Sequence, residues 1–169
     1  EVKDLTVQLK MDAGMREVIT GTSLTIGEGE AMGLVGESGS GKSMTAKAIA
    51  RLLPKGAQTQ GSVTFDGTDV LALEGDALNK HRATVAVVFQ DPRAHINPVR
   101  RIDDFMTESL RLLDDVPKAE ARKRAAAALE EVGIDDPAKR LGQFPHELSG
   151  GMLQRVMIAT ALLSEPRLL

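Results

Sequence analysis

The sequence predicts an α/β fold built around a phosphate-gripping loop, with a helical lobe after it. Three observations carry this. Gly36-Glu37-Ser38-Gly39-Ser40-Gly41-Lys42-Ser43 fits G-x-x-x-x-G-K-[ST]. The apolar run Ala31, Met32, Gly33, Leu34, Val35 enters that loop as a buried strand would, and residues 43–53 leave it as a run of helix formers that stops at Pro54. After residue 91, strand-like alternation and glycine turns give way to segments of helical period that continue to residue 164.

The loop's residue types follow from what they hold. Phosphates are gripped by backbone N–H groups, so side chains must not crowd them. Gly36, Gly39 and Gly41 permit the tight turn and the close approach. Lys42 brings a cation to the phosphates, and the Ser43 hydroxyl suits Mg²⁺. Glu37, Ser38 and Ser40 complete the loop, and the helix that starts there aims its N-terminal dipole at the anion.

Taken in order, Val2, Leu5, Val7 and Leu9 alternate as a strand, Asp12-Ala13-Gly14 is a turn, and residues 18–26 form a second strand region. Residues 54–60 read as a loop. Gly61 to Phe65 reads as a strand, with a hairpin turn at Asp66-Gly67. Residues 74–82 predict a helix, and residues 84–89 an apolar strand that ends at Gln90. Beyond it, Phe105, Met106, Leu110 and Leu113 share one helical face. Residues 118–132 form an Ala-rich helix that Gly133 closes and that is expected to be a solvated surface helix. A short helical turn spans residues 135–142, and a long helix spans residues 152–163. The expected organisation is a β-subdomain and phosphate-loop core over residues 1–91, a helical subdomain over 92–164, and the start of a further core strand over 165–169.

Composition narrows the function. With 42% hydrophobic and 27% charged residues the 169-residue chain is an ordinary globular one. A net charge of −3 and only four aromatics, all Phe, argue against a nucleic-acid partner. No run approaches membrane-spanning length and no signal-peptide pattern opens the chain, so a cytoplasmic location is expected. Without cysteine, disulfides and thiolate metal sites are excluded.

A second anion site is suggested where Ser149-Gly150-Gly151 opens the last long helix. Taken alone, the tripeptide is an N-cap and a glycine loop. Gln90, taken alone, is an ordinary polar residue at a strand end. Neither stands alone. The loop at residues 36–43, Val88-Phe89-Gln90-Asp91-Pro92, and Leu148-Ser149-Gly150-Gly151-Met152-Leu153-Gln154-Arg155 occur in the order and spacing of an ABC-transporter ATPase, which the whole chain resembles. Asn97-Pro98, Phe144-Pro145-His146-Glu147 and Gln154-Arg155-Val156-Met157-Ile158-Ala159 look like the dipeptide, oligopeptide and nickel import subfamily.

That resemblance implies a P-loop NTPase core of ABC ATPase type, with an antiparallel β-subdomain and an inserted helical subdomain. It implies an ATP- and Mg²⁺-dependent hydrolase, peripheral at the cytoplasmic face of the inner membrane. There it would couple ATP to import of peptides or nickel-type solutes. Its partners would be a second ATPase domain, transmembrane permease subunits and, indirectly, an extracytoplasmic substrate-binding protein. By the same analogy Gly36, Gly39, Gly41, Lys42 and Ser43 hold one nucleotide. Ser149, Gly150 and Gly151 contact the γ-phosphate of the nucleotide on the partner domain. Gln90 approaches Mg²⁺ and the attacking water, and residues 91–105 pass its motion to a membrane partner.

Three departures from the family pattern stand out. Met152 stands where many members have Gln, which resembles the peptide and nickel import subfamily. No aromatic precedes Phe65 to stack on adenine, so Leu9, Met11 or Met15 would have to pack the base. Glu165-Pro166-Arg167-Leu168-Leu169 looks like the opening of the strand that in the family ends in Asp-Glu, followed later by a His. A piece of a longer chain is therefore expected, one that binds nucleotide and hydrolyses it poorly for want of a general base and a second Mg²⁺ ligand. Alternatives are a non-transport ABC ATPase of the DNA-repair or chromosome type, and a nucleotide-binding module without catalysis. The short interval between Ser43 and Leu148 and the lack of cysteine weigh against the first. A small-molecule kinase would leave Leu148 to Arg155 unexplained.

Overall fold

Val2, Leu5, Val7 and Leu9 are the buried positions of β1 (Val2–Met11). Val2 and Leu5 are three residues apart, which on a regular strand would put them on opposite faces. A β-bulge returns Leu5 to the core: the register to both neighbouring strands shifts here, and Asp4 has φ 46°. Opposite this bulge a Cβ on Gly61 would stand 2.4 Å from the carbonyl oxygens of Lys3 and Asp4, so the strand can pass only as glycine. The computed structural model describes residues 1–12 and 14–169; Ala13, in the expected turn, lies outside the described residues.

Two compact units make up the chain, Glu1–Arg82 and Ala83–Leu169. In the first, an antiparallel sheet runs in the order β2-β1-β3-β4, with β2 Gly14–Leu24, β3 Gln58–Phe65 and β4 Thr68–Asp69. Asp66 and Gly67, both at positive φ, make the predicted hairpin turn between β3 and β4. The expected loop at residues 54–60 is shorter than predicted, because Gln58, Thr59 and Gln60 find backbone partners on β1 at Gln8, Val7 and Thr6. Ala48 of α1 (Lys42–Ile49) packs on this sheet with Val2, Leu5, Val7, Ile19, Val63 and Val70. α2 (Gly75–Thr84) follows, its buried His81 3.0 Å from the carbonyl oxygen of Ile49.

α1 ends four residues before the predicted boundary. Arg51 enters the left-handed region at φ 56°, and the amides of Arg51 and Leu52 fold back onto the carbonyls of Ala48 and Lys47 at 3.1 and 2.7 Å. This cap satisfies the last helical carbonyls before Pro54 is reached.

The two strands expected at residues 31–35 and 84–89 are not formed. Residues 31–35 are extended and exposed, with Val35 at 93%. Among the described residues, residues 84–89 form one parallel bridge, Val85 to Leu168, flanked by Ala86 N–H to Leu168 O at 2.9 Å and Arg167 N–H to Thr84 O at 2.8 Å. A strand is stable only when neighbours take its backbone hydrogen bonds, and among the described residues residues 31–35 find none.

The second unit is helical: α3 Pro92–His95, α4 Ile102–Leu112, α5 Lys118–Glu131, α6 Pro137–Leu141 and α7 Gly150–Leu162, with a 3₁₀ turn at Pro145–Glu147. Met106 and Leu110 of α4 are buried as their spacing predicts and Phe105 packs against the same core, joined by the buried Ile102, but Leu113 is 75% exposed. α5 is not the solvated helix expected. Ala121, Ala125, Ala128 and Leu129 are buried, forming a narrow stripe against α4, α6 and α7. Small side chains let these helices approach closely, and Arg122 reaches across to Asp103 of α4 at 2.5 Å.

Candidate functional site

The predicted phosphate loop stands at the start of α1. Gly39 and Gly41 have φ 85° and 89°, and Gly41 is the N-cap residue, so the helix opens directly from the glycine turn. A Cβ on Gly41 would lie 2.8 Å from the Val18 carbonyl oxygen of β2, and one on Gly36 would lie 2.8 Å from Ser40 Oγ. Thr45 N–H and Oγ1–H both donate to the Gly41 carbonyl, at 2.8 and 3.2 Å, which fixes the first turn.

Lys42 folds back over the loop. Its Nζ donates to the carbonyls of Gly36 at 2.8 Å and Glu37 at 2.5 Å, and lies 3.3 Å from Ser40 Oγ. The loop thus wraps around its own cation. Ser43 is exposed in the first turn of α1, and no acidic residue occupies that turn to oppose an anion. Residues 36–40, including Ser38, are exposed.

In the second unit, Ser149 caps α7. Its Oγ accepts from the Met152 amide at 3.2 Å. Leu148 before it is buried, as is Leu153 after it, so the capped end is anchored on both sides. Ser149, Gly150 and Gly151 are exposed, and a Cβ on either glycine would meet nothing within 4 Å. Packing inside the chain therefore gives no reason for glycine at 150 or 151. The approach to this cap is tied down by Phe144 N–H to Glu147 Oε2 at 2.7 Å and by Ile102 N–H to Gln143 O at 2.9 Å.

Gln90 is exposed at a bend between Phe89, which packs against the helical core, and Asp91, the N-cap of α3. Further along the chain, Arg100 donates to Glu108 at 2.5 Å, and this bond raises the guanidinium pKa above its ordinary value. His95 carries no motif signal, yet its ring stacks on Phe89. Only the contact itself reveals it.

Of the three side chains that could pack a base, Leu9 is buried in the sheet core, whereas Met11 and Met15 are each 43% exposed. They flank a shallow cleft at the β1–β2 end that Lys10, Asp12, Gly14 and Arg16 also line. Among the described residues no cluster of three His, Cys, Asp or Glu could hold a metal ion, and no helix is long and apolar enough to cross a membrane.

The oligopeptide transport ATP-binding protein OppD of Bacillus subtilis is 43% identical over 172 residues, which cover 100% of this chain and 48% of that protein. OppD of Escherichia coli is 43% identical over 169 residues, covering 99% of this chain and 50% of its own. The chain thus spans about half the length of both relatives. A dimeric ATP-binding cassette solved in a post-hydrolysis state with ADP and Pi superposes with a TM-score of 0.83 at 30% identity, over 98% of this chain and 69% of that one. The α/β P-loop fold is therefore that of an ABC cassette. The family profile described as ABC transporter matches residues 19–169, and the chain belongs to that family.

Proposed function

We propose that the chain is the nucleotide-binding part of an ABC import ATPase, and that its cargo is peptide, as the names of its relatives suggest for them. The observation that carries this is the loop closed around Lys42 Nζ. An ammonium group held, among the described residues, by two carbonyls and a hydroxyl is poised to exchange them for phosphate oxygens. Gly36, Glu37, Ser38, Gly39, Ser40 and Gly41 would offer the triphosphate their amides, at a helix start free of acidic side chains.

The residues fit Mg²⁺ as well. That ion keeps several waters and takes most of its remaining ligands from substrate phosphates, so a lone exposed hydroxyl such as Ser43 suits it better than a carboxylate cage. When bound, Mg²⁺ would neutralise charge on the β- and γ-phosphates. Gln90 is the residue we assign to sensing that charge from the helical unit.

Ser149, Gly150 and Gly151 would face the nucleotide of a second ATPase domain. The open space around both glycines supports this, because an outside group would need that room. Permease subunits and an extracytoplasmic binding protein complete the proposed system, with the ATPase peripheral on the cytoplasmic side.

Lys42→Ala in the full-length protein is the test. Mg²⁺-dependent ATP hydrolysis and binding of radiolabelled ATP should both be lost while the thermal melt stays within a few degrees. Unchanged turnover in that variant would remove the reading.

A further inference from the structure

We propose that His95 is a positioning residue for Gln90, holding the backbone on both sides of it; this rests on the ATPase reading above. The His95 and Phe89 rings are parallel, with centroids 4.0 Å apart and planes 4° from parallel. The same imidazole donates through Nδ1 to the Asp91 carbonyl at 2.8 Å. Gln90 is the one residue between these two contacts. A single ring therefore clamps the residue before Gln90 and the residue after it.

The rest of the turn is closed in the same way. Asp91 Oδ1 accepts from Arg93 N–H at 2.9 Å, and Ile96 N–H donates to Pro92 O at 3.1 Å. Phe89 and the buried Ile96 anchor the two ends in the helical core. Gln90 itself remains exposed. Its backbone is fixed while its side chain is left to act, which is the arrangement a positioned polar group requires. His95 belongs to α3, so movement of that helix would carry the ring away from Phe89 and release Gln90.

The experiment uses the full-length protein assembled with its membrane subunits. Three variants divide the clamp: His95→Ala removes both contacts, His95→Phe keeps the stack, and His95→Asn keeps an amide donor near the Nδ1 position. His95→Ala should lower kcat about three- to tenfold with KM for Mg·ATP unchanged, because misplacement of a catalytic group acts on the reacting geometry and not on nucleotide capture. The other two should fall between it and wild type. In a Gln90→Ala background His95→Ala should lower kcat no further. Amide exchange over residues 89–96, read without nucleotide, should quicken in His95→Ala. A wild-type kcat in His95→Ala, full additivity with Gln90→Ala, or unchanged exchange overturns the proposal. Wild-type protein with no Lys42-dependent hydrolysis overturns the ATPase reading instead, and the exchange data still decide whether the clamp exists.

Discussion

A methyl group on the α-carbon of Gly41 would stand 2.8 Å from the carbonyl oxygen of Val18. The phosphate loop is thereby wedged against the middle of β2, and the sheet sets where the loop and the first turn of α1 lie. Gly41→Ala meets two penalties at once. The residue sits at φ 89°, where an L side chain is strained by roughly 1–2 kcal/mol, and the atom it strikes is backbone that cannot rotate away. Thermal unfolding should show a loss of about 2 kcal/mol or more, and ATP binding should vanish with it. A variant that melts like wild type and still binds ATP would show that the wedge is not needed.

Gly151 should behave in the opposite way. Its Cβ position is open, and it lies inside the first turn of α7. Replacing glycine by alanine within a helix stabilises by roughly 0.5–1 kcal/mol. Gly151→Ala is therefore expected to raise the melting temperature of the full-length protein while lowering ATPase activity at least tenfold. Only an outside group reaching that space can make a stabilising change harmful. Ser149→Asp supplies the companion measurement: a carboxylate still caps the helix, so stability holds, but it repels a phosphate and hydrolysis should fail. Full activity in both variants would return the segment to a plain helix cap.

Why some elements could be read from residues and others could not is visible in α5. Lys118 to Glu131 was foreseeable as a helix from its alanines and charges, since propensity is local. Its burial was not, because alanine gives little hydrophobic contrast and the stripe at 121, 125, 128 and 129 shows only once α4 and α7 lie against it. The glycine turn that opens α1 and the cap at Ser149 were legible because both fix residue type at fixed spacing. The strands expected at residues 31–35 and 84–89 were over-read for the converse reason. An apolar run announces burial, but strand formation depends on partners that no local pattern contains.

That stripe carries a prediction of its own. Leu129 is fully buried among α4, α5 and α7, and Leu129→Ala should destabilise the helical unit by about 2–5 kcal/mol. Lys123→Ala, on the exposed side of the same helix, should stay within about 0.5 kcal/mol of wild type. Urea unfolding followed by circular dichroism separates the two. Equal effects would mean that α5 is the solvated helix its composition suggests.

Base recognition gives the last test, and it follows from the sheet. β2 touches Gly41 at Val18, and Met15 lies three residues back along the same strand, roughly 10 Å away at strand rise. A ribose and base extending from phosphates at the loop would end near the cleft that Met11 and Met15 flank. A thioether against an aromatic ring contributes about 0.3–1.5 kcal/mol, whereas an aromatic stacking on a base contributes about 1–3 kcal/mol. Purine discrimination should therefore be weak, with ATP and GTP binding within about tenfold of each other, since tenfold is only about 1.4 kcal/mol. Met15→Tyr should tighten ATP binding several-fold, and a Met11→Ala, Met15→Ala pair should weaken it without altering the Mg²⁺ requirement. Equilibrium binding of a fluorescent ATP analogue, competed with ATP and GTP, reads all three. A preference for ATP above a hundredfold, unmoved by the double substitution, would place the base elsewhere.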